Sequence, residues 1–509
     1  MTVFAIAKAD ALIRFRRLST IVVFLILGAI AYLWVPDPKS GYALMQIAKG
    51  RALYNSAAIG VATAILGTFF VCMAGFYVVS NAIRRDAQTR CGSIIAATTM
   101  GSGEYIAGKF LGNVLFLTTF FFGFMLVSMA MVVVRGEAPL EPWTFVKQYL
   151  LLAPPPILFV SALAILFECV PWLSGRFGDV AYFFLFLMSM GITTAAVAAG
   201  GMTWASYFDP SGLSAVMAQN MAMLHTKSIA IGAGPFDPGK PPIVYPGLSI
   251  DAAFVAQRLA AMLLIPLPLL VLARLSFHRF DPVRVRVAAK AERRWLGRLN
   301  ALLKPLTRAL LRMPSARSLP LAAVADAQLT LASAPWIAIA IVAAAAARNR
   351  PFAFLAMAIA IADIATRDVR ANTIAMLYAA PRLREHFVAW KAMSAAIIAL
   401  AFVITYPSLA TLAGAFFTVA AAVALPSPKA FIVLFLSFWY IVVNDKGATP
   451  ALDFGGFYGK APPSVALTYA AIGAAMLAVA ALSPAKPSTR CAGCGRAPFH
   501  CDRSYSSKS

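Results

Sequence analysis

Charge is scarce in this chain: Asp, Glu, Lys and Arg make up 13% of 509 residues, while 61% are hydrophobic. That balance cannot clothe a water-soluble globular domain, so a multi-pass membrane protein is expected. Ionisable groups are scarcest inside the apolar runs. A transporter driven by an ion gradient needs such groups near mid-membrane to bind the ion. Only Glu168 and Asp363 come close, and both are expected to snorkel to water from the ends of their spans. Energy for any transport must then enter from outside the spans. Also lacking are G-x-S-x-G, H-E-x-x-H and an intramembrane His/Asp cluster, so a membrane enzyme has no candidate centre here. A cleavable leader is not expected, because Val35-Pro36-Asp37-Pro38 follows the first apolar run where small residues would stand.

Cysteine is sparse too, with six in the chain. Cys72 and Cys169 fall in apolar runs and are expected to act as small buried hydrophobes. Cys491, Cys494, His500 and Cys501 offer four zinc ligands, but almost no apolar residues surround them, and a disordered basic tail is the leading expectation.

What the chain has in abundance is apolar runs of spanning length. A helix needs roughly 20 such residues to cross a hydrocarbon core. The first half offers Thr20 to Val35, Ser56 to Ser80, Phe110 to Val134, Tyr149 to Val170, Val180 to Ala199 and Phe254 to Leu275. The second offers Ala392 to Leu412, Phe416 to Leu425 with its flanks, Ala430 to Val443 and Ser464 to Leu482. Pro335 to Ala365 is interrupted by Arg348-Asn349-Arg350, and a hairpin of two short helices is expected there. The fold class is therefore all-α and polytopic, with about twelve spans in two halves. Boundaries are expected at 1–277 for the first half, 278–320 for a linker, 321–483 for the second half and 484–509 for the tail. Ahead of the first span, Phe4, Ala7, Ala11 and Phe15 fall at helical spacing and predict a short helix along the membrane surface, with Lys8 intruding on the stripe.

The net charge of +24 is concentrated in the linker, where eleven Lys and Arg between Arg279 and Arg317 are opposed only by Asp281 and Glu292. The positive-inside rule makes this linker cytoplasmic, together with both termini, in a cell membrane. These charges read as topology signals and contacts to anionic lipids, not as a nucleic-acid surface. Arg348 and Arg350 fall outside, against the rule. Two outer loops are expected, Gly201 to Asp251 and Asn444 to Pro463. The first carries Trp204, Tyr207 and Phe208 at headgroup level and short helices.

One polar segment occurs twice. Arg85-Asp86 leads through Ala97 and Glu104-Tyr105 to Lys109, and Arg367-Asp368 leads through Ala379 and His386-Phe387 to Lys391. Asp86 to Lys109 and Asp368 to Lys391 are both 23 residues apart (109 − 86 and 391 − 368). A parallel internal repeat means that whatever one copy binds, the other binds from a pseudo-symmetric place. Each copy is expected to protrude as a docking surface for a soluble partner. Gly103 to Lys109 also fits G-x-x-x-x-G-K, but Phe110 replaces the hydroxyl residue, and the second copy has Glu385 and Trp390 for the glycines. Nucleotide binding by this segment is not expected.

Arg85-Asp86, Thr89, Ile94 to Thr98 and Glu104 to Gly112 resemble the coupling-loop signature of type-2 permeases of ATP-binding-cassette exporters. Arg367-Asp368, Asn372-Thr373, Ala379-Ala380-Pro381 and Trp390-Lys391 resemble its second version. Leu166-Phe167-Glu168 with Pro171-Trp172-Leu173, and Phe277 to Pro282, are similar to stretches of large two-copy members. The resemblance implies two fused six-helix halves around a path, with a separate cytoplasmic ATPase docked under each half. ATP and Mg would be held by those partners, and this chain would carry neither a cofactor nor catalysis. It assigns ATPase coupling to Arg85, Asp86, Thr98, Glu104 and Lys109, and to Arg367, Asp368, Arg384, Glu385 and Lys391. The reading of another class is a non-transporting membrane scaffold or assembly factor.

Overall fold

The computed structural model describes residues 2–16, 18–89, 91–198, 203–226, 229–278, 280, 319–334, 336–370, 373, 386–425 and 427–482. Seven helices are long and apolar enough to cross a membrane: Ser56–Ala87, Ser102–Arg135, Pro142–Cys169, Phe177–Ala198, Ala252–Ser276, Pro428–Asp445 and Pro463–Leu482. The number becomes eight if Ala322–Leu331 and Trp336–Ala347, bent by 89°, count as one span. The sequence reading counted twelve. Helices do occupy every run it named, but Leu18–Trp34, Phe387–Val403 and Leu409–Ala424 have 17, 17 and 16 residues, short of the roughly 20 a perpendicular crossing needs.

The hairpin expected around Arg348 is present. Helices Trp336–Ala347 and Arg350–Ile361, of 12 residues each, flank Arg348 in a left-handed conformation at φ 47°. Asn349 then starts the second helix by accepting from the Phe352 N–H at 3.0 Å, a side-chain cap of the usual kind.

Two large apolar cores are built, with a smaller third around Ile83, Tyr105, Ile106, Ile165, Cys169 and Ala273. Of the large ones, one gathers residues from Ala31 to Phe254, the other residues from Ala327 to Phe454 together with Phe183 of the first half. Phe183 lies edge-on to Tyr440, and Ser437 lies 3.7 Å from the Met73 sulfur. Lys429 closes the seam, donating to Ser80 at 2.6 Å and pairing with Asp179 at 3.3 Å.

A small sheet was not foreseen. Strands β1 (Tyr42–Ile47) and β2 (Gly50–Arg51) form a hairpin whose two turn residues, Ala48 and Lys49, both have positive φ, as a tight primed turn requires. Strand β3 (Ile229–Pro235) pairs antiparallel with β1, giving the order β2-β1-β3. Arg51 of this sheet makes a two-pronged bond to Glu137, at 2.5 and 2.6 Å. That bond holds the Glu137 carboxyl below the ordinary carboxylate range. The short helices expected in the loop from Gly201 to Asp251 are there, at Trp204–Phe208 and Leu213–Met223, with Trp204 and Phe208 exposed.

Candidate functional site: two matched charge clusters

The N-terminal helix (Thr2–Phe15) crosses the start of the long helix Ser102–Arg135. Its buried face is Ala7, Asp10, Ala11 and Arg14, while Phe4 is 72% exposed. Of the stripe read from the sequence, Ala7 and Ala11 are buried and Phe15 packs on Phe116, whereas Phe4 lies off the packed face and Lys8 points away from it. Gly108 and Gly112 allow the close crossing. A Cβ on Gly108 would stand 2.8 Å from Ile6, and one on Gly112 would stand 3.3 Å from the Ala7 carbonyl oxygen.

At that crossing sits a buried network. Lys109 Nζ lies 2.7 Å from Asp86 Oδ2 and 3.1 Å from Asp10 Oδ1, and Arg85 pairs with the same Asp10 oxygen. Arg14 approaches Asp10 Oδ2 at 2.8 Å and donates to Asn113 Oδ1 at 2.7 Å. Tyr105 donates its hydroxyl to Asp86 at 2.8 Å. Lys109 is 4% exposed, so its charge is acceptable only because two carboxylates face it. Burial pushes the Asp10 carboxyl up, but Arg14, Lys109 and Arg85 outweigh it and hold the group below its ordinary range.

The second copy builds the same figure. Lys391 Nζ lies 2.5 Å from Asp368 Oδ2 and 3.1 Å from Asp326 Oδ1, and Arg367 pairs with that same Asp326 oxygen. Asp326 comes from the helix Leu319–Ser333, which stands ahead of the second half's apolar helices as Thr2–Phe15 stands ahead of the first's. Four residues beyond each aspartate the copies diverge: Arg14 in the first, Thr330 in the second, where its hydroxyl bonds Arg367 and the Asp326 carbonyl. Lys391 is fully buried, its ammonium 4.0 Å from the centre of the Trp390 ring.

Between Arg85 and Lys109 the first copy folds as two short helices, Ala82–Gln88 and Cys91–Ala97. Glu168 fastens the first of them. Its two carboxylate oxygens accept from the N–H groups of Asn81, Ala82, Ile83 and Arg84, at 2.6, 3.0, 2.7 and 3.0 Å. These are the donors that a helix start leaves unpaired, and a carboxylate there also meets the positive end of the helix dipole. Glu168 thus performs a structural task, in place of the snorkelling expected of it.

The structure divides the candidate residues. Arg85, Asp86, Lys109, Arg367, Asp368 and Lys391 face inward and join the loop to a neighbouring helix. Thr98 and Glu104 are exposed, Thr98 bonded to the Ile95 carbonyl at 2.7 Å and Glu104 capping its helix by accepting from the Gly101 N–H at 3.2 Å. A cleft of about 820 Å³ opens beside Glu104, between Gly101 to Gly103 and Arg274. Ile94, 69% exposed, shares that loop surface. Arg384 and Glu385 lie outside the described residues, as do Cys491, Cys494, His500 and Cys501. Gly103 to Lys109 is continuous helix, and Lys109 is engaged by carboxylates, so the segment has no loop to wrap a phosphate.

Sequence reasoning missed Asp10 and Asp326, and gave Glu168 a different role. A lone acid on an apolar helix face was the available signal for the first two. Among the described residues no group of three His, Cys, Asp or Glu side chains is placed to hold a metal. No protein family, curated protein or solved structure matches the chain. The likeness to exporter permeases therefore rests on the sequence motifs alone.

Proposed function

We propose that this chain is the membrane subunit of an ATP-driven type-2 exporter, moving cargo by alternating access under the power of two separate cytoplasmic ATPase subunits. The observation that supports it is the duplicated cluster, in which Asp10 and Asp326 each tie a loop to the base of its own helix bundle. A loop held by three buried or partly buried ion pairs moves with its bundle as one lever. The exposed patch of Ile94, Thr98 and Glu104, with the cleft beside it, is the docking face in the first copy, and the corresponding coupling role in the second is assigned to Arg384 and Glu385 from the sequence alone.

In this reading the protein comprises two six-helix halves, 1–277 and 321–483, joined by the cytoplasmic linker 278–320. The shorter helices complete the twelve crossings by thinning the bilayer around them and by flanking residues that snorkel to water. Both termini and both loops face the cytoplasm. ATP and Mg are bound by the partners, whose closure draws the two loops together. The Lys429 contacts to Ser80 and Asp179, at the loop end of the seam, are those a two-state bundle would exchange, and the partner stroke biases that equilibrium.

Purification of the tagged chain from its native membrane tests the proposal. A nucleotide-hydrolysing subunit is expected to co-purify in a two-to-one ratio, and its turnover in liposomes is expected to respond to cargo. Recovery of the intact chain with no ATPase after mild solubilisation would overturn the reading.

A further inference from the structure

Arg348 and Arg350 stand at the opposite end of the second half from its charge cluster. The helix Arg350–Ile361 leads from Arg350 towards Arg367, and the helix Phe387–Val403 leads from Lys391 towards Tyr406. Two cations at that end run against the positive-inside bias, which calls for a local reason. They line a cavity of about 1100 Å³ whose wall includes Asn349, Tyr406, Trp439 and Phe457, with no carboxylate among the described lining residues.

The cavity is assembled by specific bonds. Arg350 donates to the Gly456 carbonyl and lies 5.8 Å from the centre of the Tyr406 ring. Trp439 Nε1 donates to the Pro351 carbonyl at 2.9 Å, and the Tyr406 hydroxyl donates to the Ala344 carbonyl at 3.2 Å. The acids of the facing loop are engaged elsewhere: Asp453 accepts from the N–H groups of Phe457 and Tyr458, and Asp445 from the N–H and hydroxyl of Thr449. Neither arginine is paired with a carboxylate among the described residues. Arg348 is exposed, its place set by the left-handed turn between the two helices.

We propose that this cavity binds a phosphate-bearing anion, its phosphate held by Arg348 and Arg350 and its adjoining apolar part covered by the aromatic wall. Arginine's fork matches phosphate oxygens in pairs, and fixed aromatic faces offer apolar contact beside it. An anionic lipid headgroup and a soluble phosphate ester share this chemistry.

Fluorescent phosphatidylglycerol supplies the test, bound to the full chain in phosphatidylcholine nanodiscs, with glycerol 3-phosphate as competitor. The variant is Arg348→Asn, because Asn tolerates positive φ and leaves the bond from Arg350 to Gly456 in place. Lys39→Asn, which removes one exposed charge elsewhere, is the control. Loss of one charged contact is expected to weaken binding by about tenfold in Arg348→Asn and to leave the control unchanged. Competition by glycerol 3-phosphate would identify a soluble phosphate ligand. Binding that depends on Arg348 but resists the competitor would identify the lipid headgroup. Equal affinities in all three proteins, or equal losses in both variants, would overturn the proposal.

Discussion

Asp10→Asn and Asp326→Asn are each expected to release one helix from its bundle. Asp10 faces Lys109, Arg85 and Arg14, and Asp326 faces Lys391 and Arg367, so removing the charge leaves three cations under-compensated in the first cluster and two in the second. Breaking a buried pair in this way costs about 3–5 kcal/mol, against 1 or less for an exposed pair. The helices Thr2–Phe15 and Leu319–Ser333 are short, and outside the clusters little else charged binds them. Amide hydrogen exchange is the readout. Protection is expected to fall in residues 2–16 for the first variant and in residues 319–333 for the second, with the long helices unaffected. Unchanged protection in both would mean that the clusters do not hold these helices.

Acid should act on the first cluster in the same direction. Although burial alone would raise the Asp10 carboxyl, Arg14, Lys109 and Arg85 keep it below the unfolded value of about 3.9. A lowered folded-state pKa gives a stabilisation that is fully present above the unfolded value and is lost as pH falls through the folded one. Protection of residues 2–16, taken relative to the intrinsic exchange rate at each pH, is therefore expected to hold down to about pH 4 and to fall below it.

The second large effect concerns coupling. Asp86→Asn with Asp368→Asn removes one of the two carboxylates facing each lysine and spares the tethers through Asp10 and Asp326. Asn at position 86 can still accept from the Tyr105 hydroxyl. The chain is expected to fold and to bind the proposed ATPase partner, because neither residue lies on the exposed patch. ATP-driven transport in liposomes is expected to fall by about tenfold or more in the double variant, with the single variants between. A loss of that size corresponds to a coupling free energy of about 1.4 kcal/mol, ordinary for two sites linked through a packed element. Transport equal to the parent protein would show that force does not pass through the clusters.

The sequence showed the register of the repeat because the polar segment is ungapped and its end points, Asp86 with Lys109 and Asp368 with Lys391, are chemically alike. It showed the break at Arg348 because two cations cannot sit mid-helix in lipid. The third partner of each cluster was hidden for a physical reason. Asp326 stands much nearer to Asp368 in the chain than Asp10 does to Asp86, since the first half inserts the hairpin of β1 and β2 between them. The shared spacing that revealed the lysines therefore does not extend to the aspartates. Lys109 and Lys391 read as boundary or docking charges, because burial is a property of the crossing helix, and Gly108 and Gly112 permit that crossing in one copy only. Position 390, which matches Gly108, is Trp, and the second copy packs its lysine against that ring. Glu168 looked like a snorkelling acid because its four partners are backbone N–H groups, which no side-chain pattern reveals.

The account stands on two equivalent loops facing one side of the membrane. Cys91 is exposed on the first loop and His386 is exposed at the base of the second, whereas Cys72 and Cys169 are buried. Two single-cysteine proteins, one keeping Cys91 and one carrying His386→Cys, can be treated with a membrane-impermeant maleimide in right-side-out and inside-out vesicles. Both are expected to react only in inside-out vesicles. Reaction of the two from opposite faces would contradict the account.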